Sequence, residues 1–409
     1  MAMNIAIVGY GSAGQALAIA LARDGHRLQV FEQVPHPGPV GAGFLLQPTG
    51  LAALWSLGLL PAALGVGAPV HRLHGENAAG RTVMDMRYAD LEPRLLGLGM
   101  QRGALFELLR AALPPAVELH AGRRITSVDV DAGYLRDVDG KAAGPFDLIV
   151  AADGAASALR ASLPTLQLDR PYPWGAVWCL LPLRDWQWPT QLRQRYRAAR
   201  QMLGMLPVGV RPGDSAPKLS FFWSVPAAGF ESWLAQPLAQ WHAQLLELWP
   251  AIEPHLPDLQ DTTRLARASY RDVILQRRWH HGRLLAIGDA AHAMSPQLGQ
   301  GVNMALLDAL ALRDALRMPG PLDAVLNAYA AQRRQHIQAY QFWSRWLTPL
   351  FQSDLDLVAQ VRDVFFHPLS RLPGSRAQAL RILTGTRSGW LGRWPLPDGF
   401  LDALAESRK

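Results

Sequence analysis

Apolar runs and stretches of helical period alternate through residues 1–165 and again after residue 270, which implies an α/β fold. Ile5–Val8 is an unbroken apolar run, as expected of a strand covered on both faces. Ala13, Leu17 and Leu21 then recur on one helical face up to Asp24-Gly25, where Gly25 suits a C-cap, and Arg27–Phe31 reads as a second strand ending at Glu32. After a Pro/Gly-rich loop (residues 35–43), Phe44–Gln47 reads as a strand and Thr49–Leu60 as a helix ending near Gly58. Val70–Leu73 and Thr82–Met86 read as hairpin strands around Asn77–Gly80, and Gly103–Leu113 as a helix stopped by Pro114-Pro115. Val117–His120, Ile125–Val130 and Tyr134–Val138 suit a half-solvated meander, and Phe146–Ala152 is another buried strand.

The pattern changes between Leu166 and Tyr270. Aromatic-rich strands dominate there (Trp174–Leu181, Met202–Val208, Leu219–Val225), and a helix follows at Leu234–Leu248. This stretch reads as a separate antiparallel sheet inserted into the first unit. The apolar strand Arg283–Ile287 then returns, and helical period continues to the C-terminus with a break at Met318–Pro321. The tail carries an aromatic and aliphatic stripe, Tyr340, Trp343, Trp346, Leu347 and Leu350, which could serve as a membrane-surface helix or a dimer face. Packing against the body of the protein is the favoured reading.

Composition narrows the classes. The 409 residues are 49% hydrophobic, as in a compact globular protein. The single cysteine, Cys179, excludes an intramolecular disulfide and a multi-cysteine metal cage, and favours a reducing, cytoplasmic setting. No apolar stretch is long enough for a transmembrane segment. The net charge of +7 comes almost wholly from arginine, since Lys141, Lys218 and Lys409 are the only lysines. These arginines are scattered and belong to no nucleic-acid module, so no nucleic-acid partner is expected.

Three separated motifs carry the candidate chemistry. Gly9, Gly11 and Gly14 stand in G-x-G-x-x-G spacing between a strand and a helix, the context of a dinucleotide fingerprint. Gly9 permits the tight turn, Gly11 lets the backbone approach a pyrophosphate, and Gly14 lets helix and strand pack. Ser12 and Ala13 open a helix whose free N–H groups would face that diphosphate. Glu32 is placed to accept hydrogen bonds from a ribose diol. Asp153-Gly154 and Gly288-Asp289 each follow a buried strand, and ligands of open α/β sheets bind beyond the carboxyl ends of strands. Asp289 could bond a ribityl hydroxyl or simply cap a helix.

With its neighbours included, the chain resembles the class A FAD-dependent monooxygenases, the aromatic hydroxylases related to para-hydroxybenzoate hydroxylase. Gly9/Gly11/Gly14, Asp153-Gly154, and Gly288-Asp289 with Pro296, Gly299, Gln300, Gly301 and Asn303 match that family's motifs in order, and Arg102 in MQRGALFELL resembles its arginine. The resemblance implies a Rossmann-like FAD-binding domain with a parallel sheet (1–70, 98–165 and 271–338). It also implies an inserted substrate domain (71–97 and 166–270) and a C-terminal helical region (339–409). By the same resemblance Glu32 holds the adenosine ribose, Arg102 contacts FAD, and Asp289 binds the ribityl chain. Asp153-Gly154 serves both FAD and NAD(P)H, while Gly299, Gly301, Val302 and Asn303 lie against the flavin ring. Pro296 matches a proline whose carbonyl lies near the reacting edge. His292 is expected to be a structural hydrogen bonder. The implied activity is hydroxylation of a small aromatic or electron-rich substrate with O2 activated at flavin C4a and electrons from NADH or NADPH, in a monomer or homodimer.

Trp178, Met205, Phe222 and Trp223 are candidate walls of the substrate pocket, although alternate strand residues face away. These strands carry no Arg–Tyr pair to clamp a carboxylate, which leans toward a bulkier, less polar aromatic. A flavin-dependent halogenase shares the fold, but Trp186-Gln187-Trp188-Pro189 lacks that family's Ile-Pro spacing, and a pocket lysine is scarce. A non-catalytic FAD-binding protein is the remaining alternative. No metal ligands are expected.

Overall fold

The computed structural model describes residues 2–38, 41–276 and 278–407, so Pro39 of the Pro/Gly-rich loop lies outside the described residues. Five parallel strands form most of the central sheet, in the order Leu284–Ala286, Leu148–Ala151, Asn4–Val8, Arg27–Glu32, Glu118–Ala121. A short antiparallel strand, His280–His281, closes one edge. Ile5, Ala6 and Ile7 are fully buried because helices and loops cover both faces, which is why this run is continuously apolar. The helices Ser12–Arg23 and Gly301–Leu316 pack against each other through small residues such as Ala13 and Ala305.

Register sets the site. Ile7 pairs with Val150 and Val8 with Ala151, and Ala151 pairs with Ala286. The carboxyl ends of these strands are therefore level, and the chain leaves them side by side at Gly9, Asp153 and Gly288.

The run Val117–His120 does not join the meander. Its strand, Glu118–Ala121, is the parallel edge of the central sheet, and the meander consists of Ile125–Asp129, Tyr134–Asp137 and Ala142–Ala143. Both environments are half-solvated, so alternation alone does not distinguish them.

A second sheet of seven strands runs Ala266–Ala268, Trp174–Pro182, Lys218–Pro226, Gln201–Gly209, Gln191–Arg197, Arg72–Asn77, Thr82–Arg87. It is antiparallel except where Arg72–Asn77 and Gln191–Arg197 run parallel. Its outer face is buried under the helix Leu238–Leu248, which is separated from Phe230–Ala235 at Pro237, so Leu234–Leu248 is two helices rather than one. Its inner face packs on a three-stranded sheet of Gly43–Leu46, Gly97–Gln101 and Ala68–Val70, and Ser220 Oγ accepts a hydrogen bond from Gly43 N at 3.1 Å across that joint.

Four helices complete the chain, Leu322–Phe351, Asp356–Ser370, Pro373–Leu383 and Phe400–Glu406. In the first of these Tyr340 is fully buried, whereas Trp346 is 61% exposed, so the aromatic stripe packs only in part. Among the described residues no helix is long and apolar enough to cross a membrane, and no His/Cys/Asp/Glu group is arranged to hold a metal ion.

Candidate active site

The three glycine-bearing motifs meet at the level strand ends. Gly9 has φ +108°, and a Cβ there would lie 2.3 Å from the Ala152 carbonyl oxygen, so the first turn abuts the second motif. A Cβ on Gly14 would fall 2.0 Å from the Gly9 carbonyl oxygen, whereas one on Gly11 would meet no atom within 4 Å. Gly9 and Gly14 are thus required by the protein itself, and Gly11 faces open space. Gly288 (φ +58°) closes the group, since its Cβ would lie 3.2 Å from Ala13 Cβ. The helices at Ser12 and Gly301 both start here without a side-chain cap, leaving their first N–H groups to a ligand.

Polar side chains around this point are oriented but incompletely paired. Glu32 accepts hydrogen bonds from Tyr10 N and Val34 N, both at 2.9 Å, one on each carboxylate oxygen, which fixes its plane and leaves a lone pair on each. Asp153 Oδ2 accepts from Ala158 N at 3.0 Å, while its buried Oδ1 has no partner among the described residues. Burial pushes this carboxyl up, with donors from Ser157 and the loop backbone opposing. Asp289 is exposed at the helix start. The backbone N–H of Arg102 donates to Ala42 O at 2.8 Å, but its guanidinium has no hydrogen-bond partner among the described residues and lies 5.1 Å from the Trp178 ring centroid. Solvent reaches Arg102, yet protein surrounds it closely enough that desolvation lowers its pKa, with Asp289 and then Tyr270 opposing. That combination marks the wall of a deep cleft. Tyr270 is pushed up to about 12 by the same burial.

The loop before Gly301 is held from several sides. Pro296 O accepts from Gly299 N at 2.9 Å, so its carbonyl closes a turn and keeps one lone pair. The fully buried Asn303 donates to Gly299 O at 3.0 Å and accepts from Gln47 N at 2.9 Å. It is therefore a brace, and the half-buried Gly301 and Val302 form the helix edge on the cleft side. Ser295 Oγ and Ser344 Oγ are 2.7 Å apart, which ties the loop to the C-terminal helices.

A buried ionic chain supports the Gly288 turn from behind. Asp308 accepts from Gly288 N (2.8 Å), His292 Nε2 (2.6 Å) and Arg333 Nε (2.7 Å). Arg333 also donates to His336 Nδ1 at 2.7 Å, so His336 is neutral and donates through Nε2 to Gly385 O at 2.7 Å. Burial holds His336 well below its usual range, and the neighbouring cations keep Asp308 ionised despite its own burial. His292 is structural, as expected. Asp308, Arg333 and His336 belong to none of the sequence motifs, although a lone acid inside the apolar run MALLDALAL signals a buried partner. Arg160 is a link that the motif spacing does not reveal. Its guanidinium donates to Ala290 O (3.0 Å), Ala155 O (2.8 Å) and Asp169 (2.6 Å), joining the second motif to the third.

The candidate substrate residues divide by sheet face. Trp178 pairs with Phe222, and Phe222 with Gly204, so both aromatics lie on the inner face. Met205 pairs with Phe221, and Trp223 with Val177 and Leu203, on the opposite face. Met205 (0% exposed) and Trp223 (2%) belong to the core beneath Leu238–Leu248 and do not line the cleft, because the two-residue strand period turns them away. Trp186 lies in that outer core and Trp188 packs against it, with ring centroids 5.4 and 5.9 Å from that of Trp249, on the face of the sheet opposite Trp178.

Comparison with known proteins agrees with this geometry. The FAD binding domain family matches residues 2–344. Kynurenine 3-monooxygenase of Stenotrophomonas maltophilia is 29% identical over 83% of this chain and 77% of its own length. 6-Methylpretetramide 4-monooxygenase of Streptomyces rimosus is 28% identical over 94% and 93%. Among solved structures, PqsL of Pseudomonas aeruginosa in complex with 2-aminobenzoylacetate superposes with a TM-score of 0.76 at 24% identity, covering 88% of this chain and 99% of that one. An HpxO variant from Klebsiella pneumoniae complexed with FAD gives 0.76 at 23%, covering 95% and 100%. The unpartnered Asp153 Oδ1, the open space at Gly11 and two uncapped helix starts suit a flavin dinucleotide. The chain belongs to the class A FAD-dependent monooxygenases and is a flavoprotein monooxygenase.

Proposed function

We propose that the protein hydroxylates an amine-bearing or nitrogen-heterocyclic aromatic compound, using O2 and NADH or NADPH, in the cleft between the strand ends and the inner face of the second sheet. The observation that supports this reading is the Arg102 guanidinium 5.1 Å from the Trp178 ring centroid, with Asp289 near enough to act on the same guanidinium, which draws the aromatic-bearing sheet face and the third motif toward one cleft. Kynurenine, 2-aminobenzoylacetate and a quinolone in the names of its relatives fit such a ring.

Ser12, Ala13 and Gly14 would offer N–H groups to the diphosphate, Glu32 the ribose contact, and Asp153 and Asp289 acceptors for hydroxyls. Arg102 would lie against the cofactor and fix the stack with Trp178. Bound FAD supplies the electrons taken from NAD(P)H and activates oxygen. The protein's own part is positional and electrostatic. The N–H groups at Gly301, Val302 and Asn303 favour negative charge beside them. Pro296 shapes the reacting edge through its free carbonyl lone pair. Trp178 and Phe222 orient the substrate ring and exclude water.

The test is NAD(P)H consumption by the purified yellow protein across anilines, aminobenzoyl compounds, quinolones and phenols, with product mass measured. A stimulated rate with a gain of one oxygen atom for the nitrogen-bearing rings supports the proposal. Peroxide release alone across the panel counts against it.

A further inference from the structure

The helix Asp356–Ser370 is built inside out. Its charged residues Arg362 and Asp363 turn inward. Arg362, 2% exposed, donates to Leu350 O (2.7 Å) and Ala198 O (3.0 Å) and pairs with Asp363 (2.6 Å). Its outward residues are apolar. Leu357 (73% exposed), Val361 (50%), Val364 (40%), Phe365 (55%) and Leu369 (54%) continue into Leu372 (56%). At about 3.6 residues per turn these positions share one side of the helix. The rows 357, 361, 364 and 365, 369, 372 each step by four and then three, the spacing of a helix–helix contact. Between Asp356 and Arg371 no exposed residue carries a full charge, and only Gln360 interrupts the stripe. An apolar stripe of this length on an outer surface marks a contact.

We infer that the Asp356–Ser370 helix is a docking surface for a second copy of this chain, the two helices crossing antiparallel about a two-fold axis near Val364 and Phe365. Charge placement selects this occupant. At the start of the stripe Arg200 already pairs with Asp356 at 2.9 Å, which leaves Asp354 as the acid without an ion pair among the described residues, and Arg371 at the end of the stripe likewise has none. An antiparallel copy brings each acidic end to the other's basic end, and leucines 357 and 372 meet across the axis. A two-fold interface must be self-complementary in this way. An anionic lipid surface fits poorly, since it would be repelled by Asp354 at one end of the stripe, whereas a second copy meets both ends with opposite charge. On its inner side the same helix places Phe366 against Phe351 (ring centroids 5.7 Å), in the cluster that contains Phe222. Association therefore buttresses the wall of the aromatic cleft.

Sedimentation velocity of the FAD-loaded protein over a range of concentrations tests this, alongside Val364→Glu, Asp354→Arg, Arg371→Asp and the double charge swap. The altered side chains are exposed, and flavin content and thermal midpoint check each fold. The expected result is a dimer whose dissociation constant rises at least about 100-fold in Val364→Glu, because one change enters the interface twice. Each single charge swap weakens the dimer and the double swap restores it. A monomeric wild type, a dimer indifferent to Val364→Glu, or sedimentation of the wild type with anionic vesicles that Val364→Glu abolishes would overturn the inference.

Discussion

At the scale of single residues, the glycines separate what the chain needs from what the cofactor needs. A Cβ on Gly14 would strike the Gly9 carbonyl, whereas one on Gly11 would meet nothing within 4 Å. Gly14→Ala should lower both the thermal midpoint of the apoprotein and FAD affinity. Gly11→Ala should leave that midpoint unchanged while weakening FAD binding by about 10-fold or more. Differential scanning fluorimetry with and without FAD reads both. The aromatic strand residues make a parallel contrast. Trp223→Ala removes a core side chain and should cost about 3–5 kcal/mol of stability. Trp178→Ala should leave stability nearly intact and raise the KM for the aromatic substrate, as urea unfolding and steady-state kinetics would register. Glycine spacing was readable because each glycine answers a backbone demand of the motif. Strand face was not readable in Trp174–Leu181, which is apolar on both sides, whereas Leu219–Val225 does carry the signal, with Ser220 and Ser224 on the face of Phe222 and only apolar residues on that of Trp223.

At the scale of elements, the helix Gly301–Leu316 joins cofactor site and core through Asp308. Asp308→Asn leaves the buried Arg333 guanidinium without its counter-charge and should destabilise the protein by about 3–5 kcal/mol, measured by denaturant unfolding. The pH dependence follows from His336. Its folded-state pKa is depressed, so below about pH 6.5 the unfolded chain binds a proton that the folded chain refuses, and stability falls with falling pH. Gln at this position can accept from Arg333 and donate to Gly385 O. His336→Gln should therefore flatten the acid limb between pH 6.5 and 5 by up to about 1.4 kcal/mol per pH unit. Asp308, held below the usual carboxylate range, adds a second loss below about pH 4. Elements whose pattern reflects burial were legible, and the strand Gln191–Arg197 was not. Its arginines look solvated in sequence, but Arg193 and Arg195 sit in the sheet because Glu76 on the neighbouring strand pairs with them at 3.4 and 2.6 Å. That partnership spans more than a hundred residues of chain and leaves no local trace.

At the scale of the whole molecule, a single cleft is assembled from segments far apart in sequence. Level strand ends bring Gly9, Asp153 and Gly288 together, Arg160 and Asp308 lock them, and the second sheet closes the front through Arg102 and Trp178. The motifs announced this convergence because each needs a strand end. The clamp of C-terminal residues behind it, such as Gly385 and Ser344, carries no motif and emerged only from packing. The most direct test of this convergence is titration of apoprotein with FAD, followed by flavin fluorescence, in the wild type and in Gly11→Ala, Asp153→Asn and Asp289→Asn. One FAD per chain, with affinity reduced by each substitution, is the predicted result. A wild type that stays colourless, or affinity unchanged by all three substitutions, would contradict it.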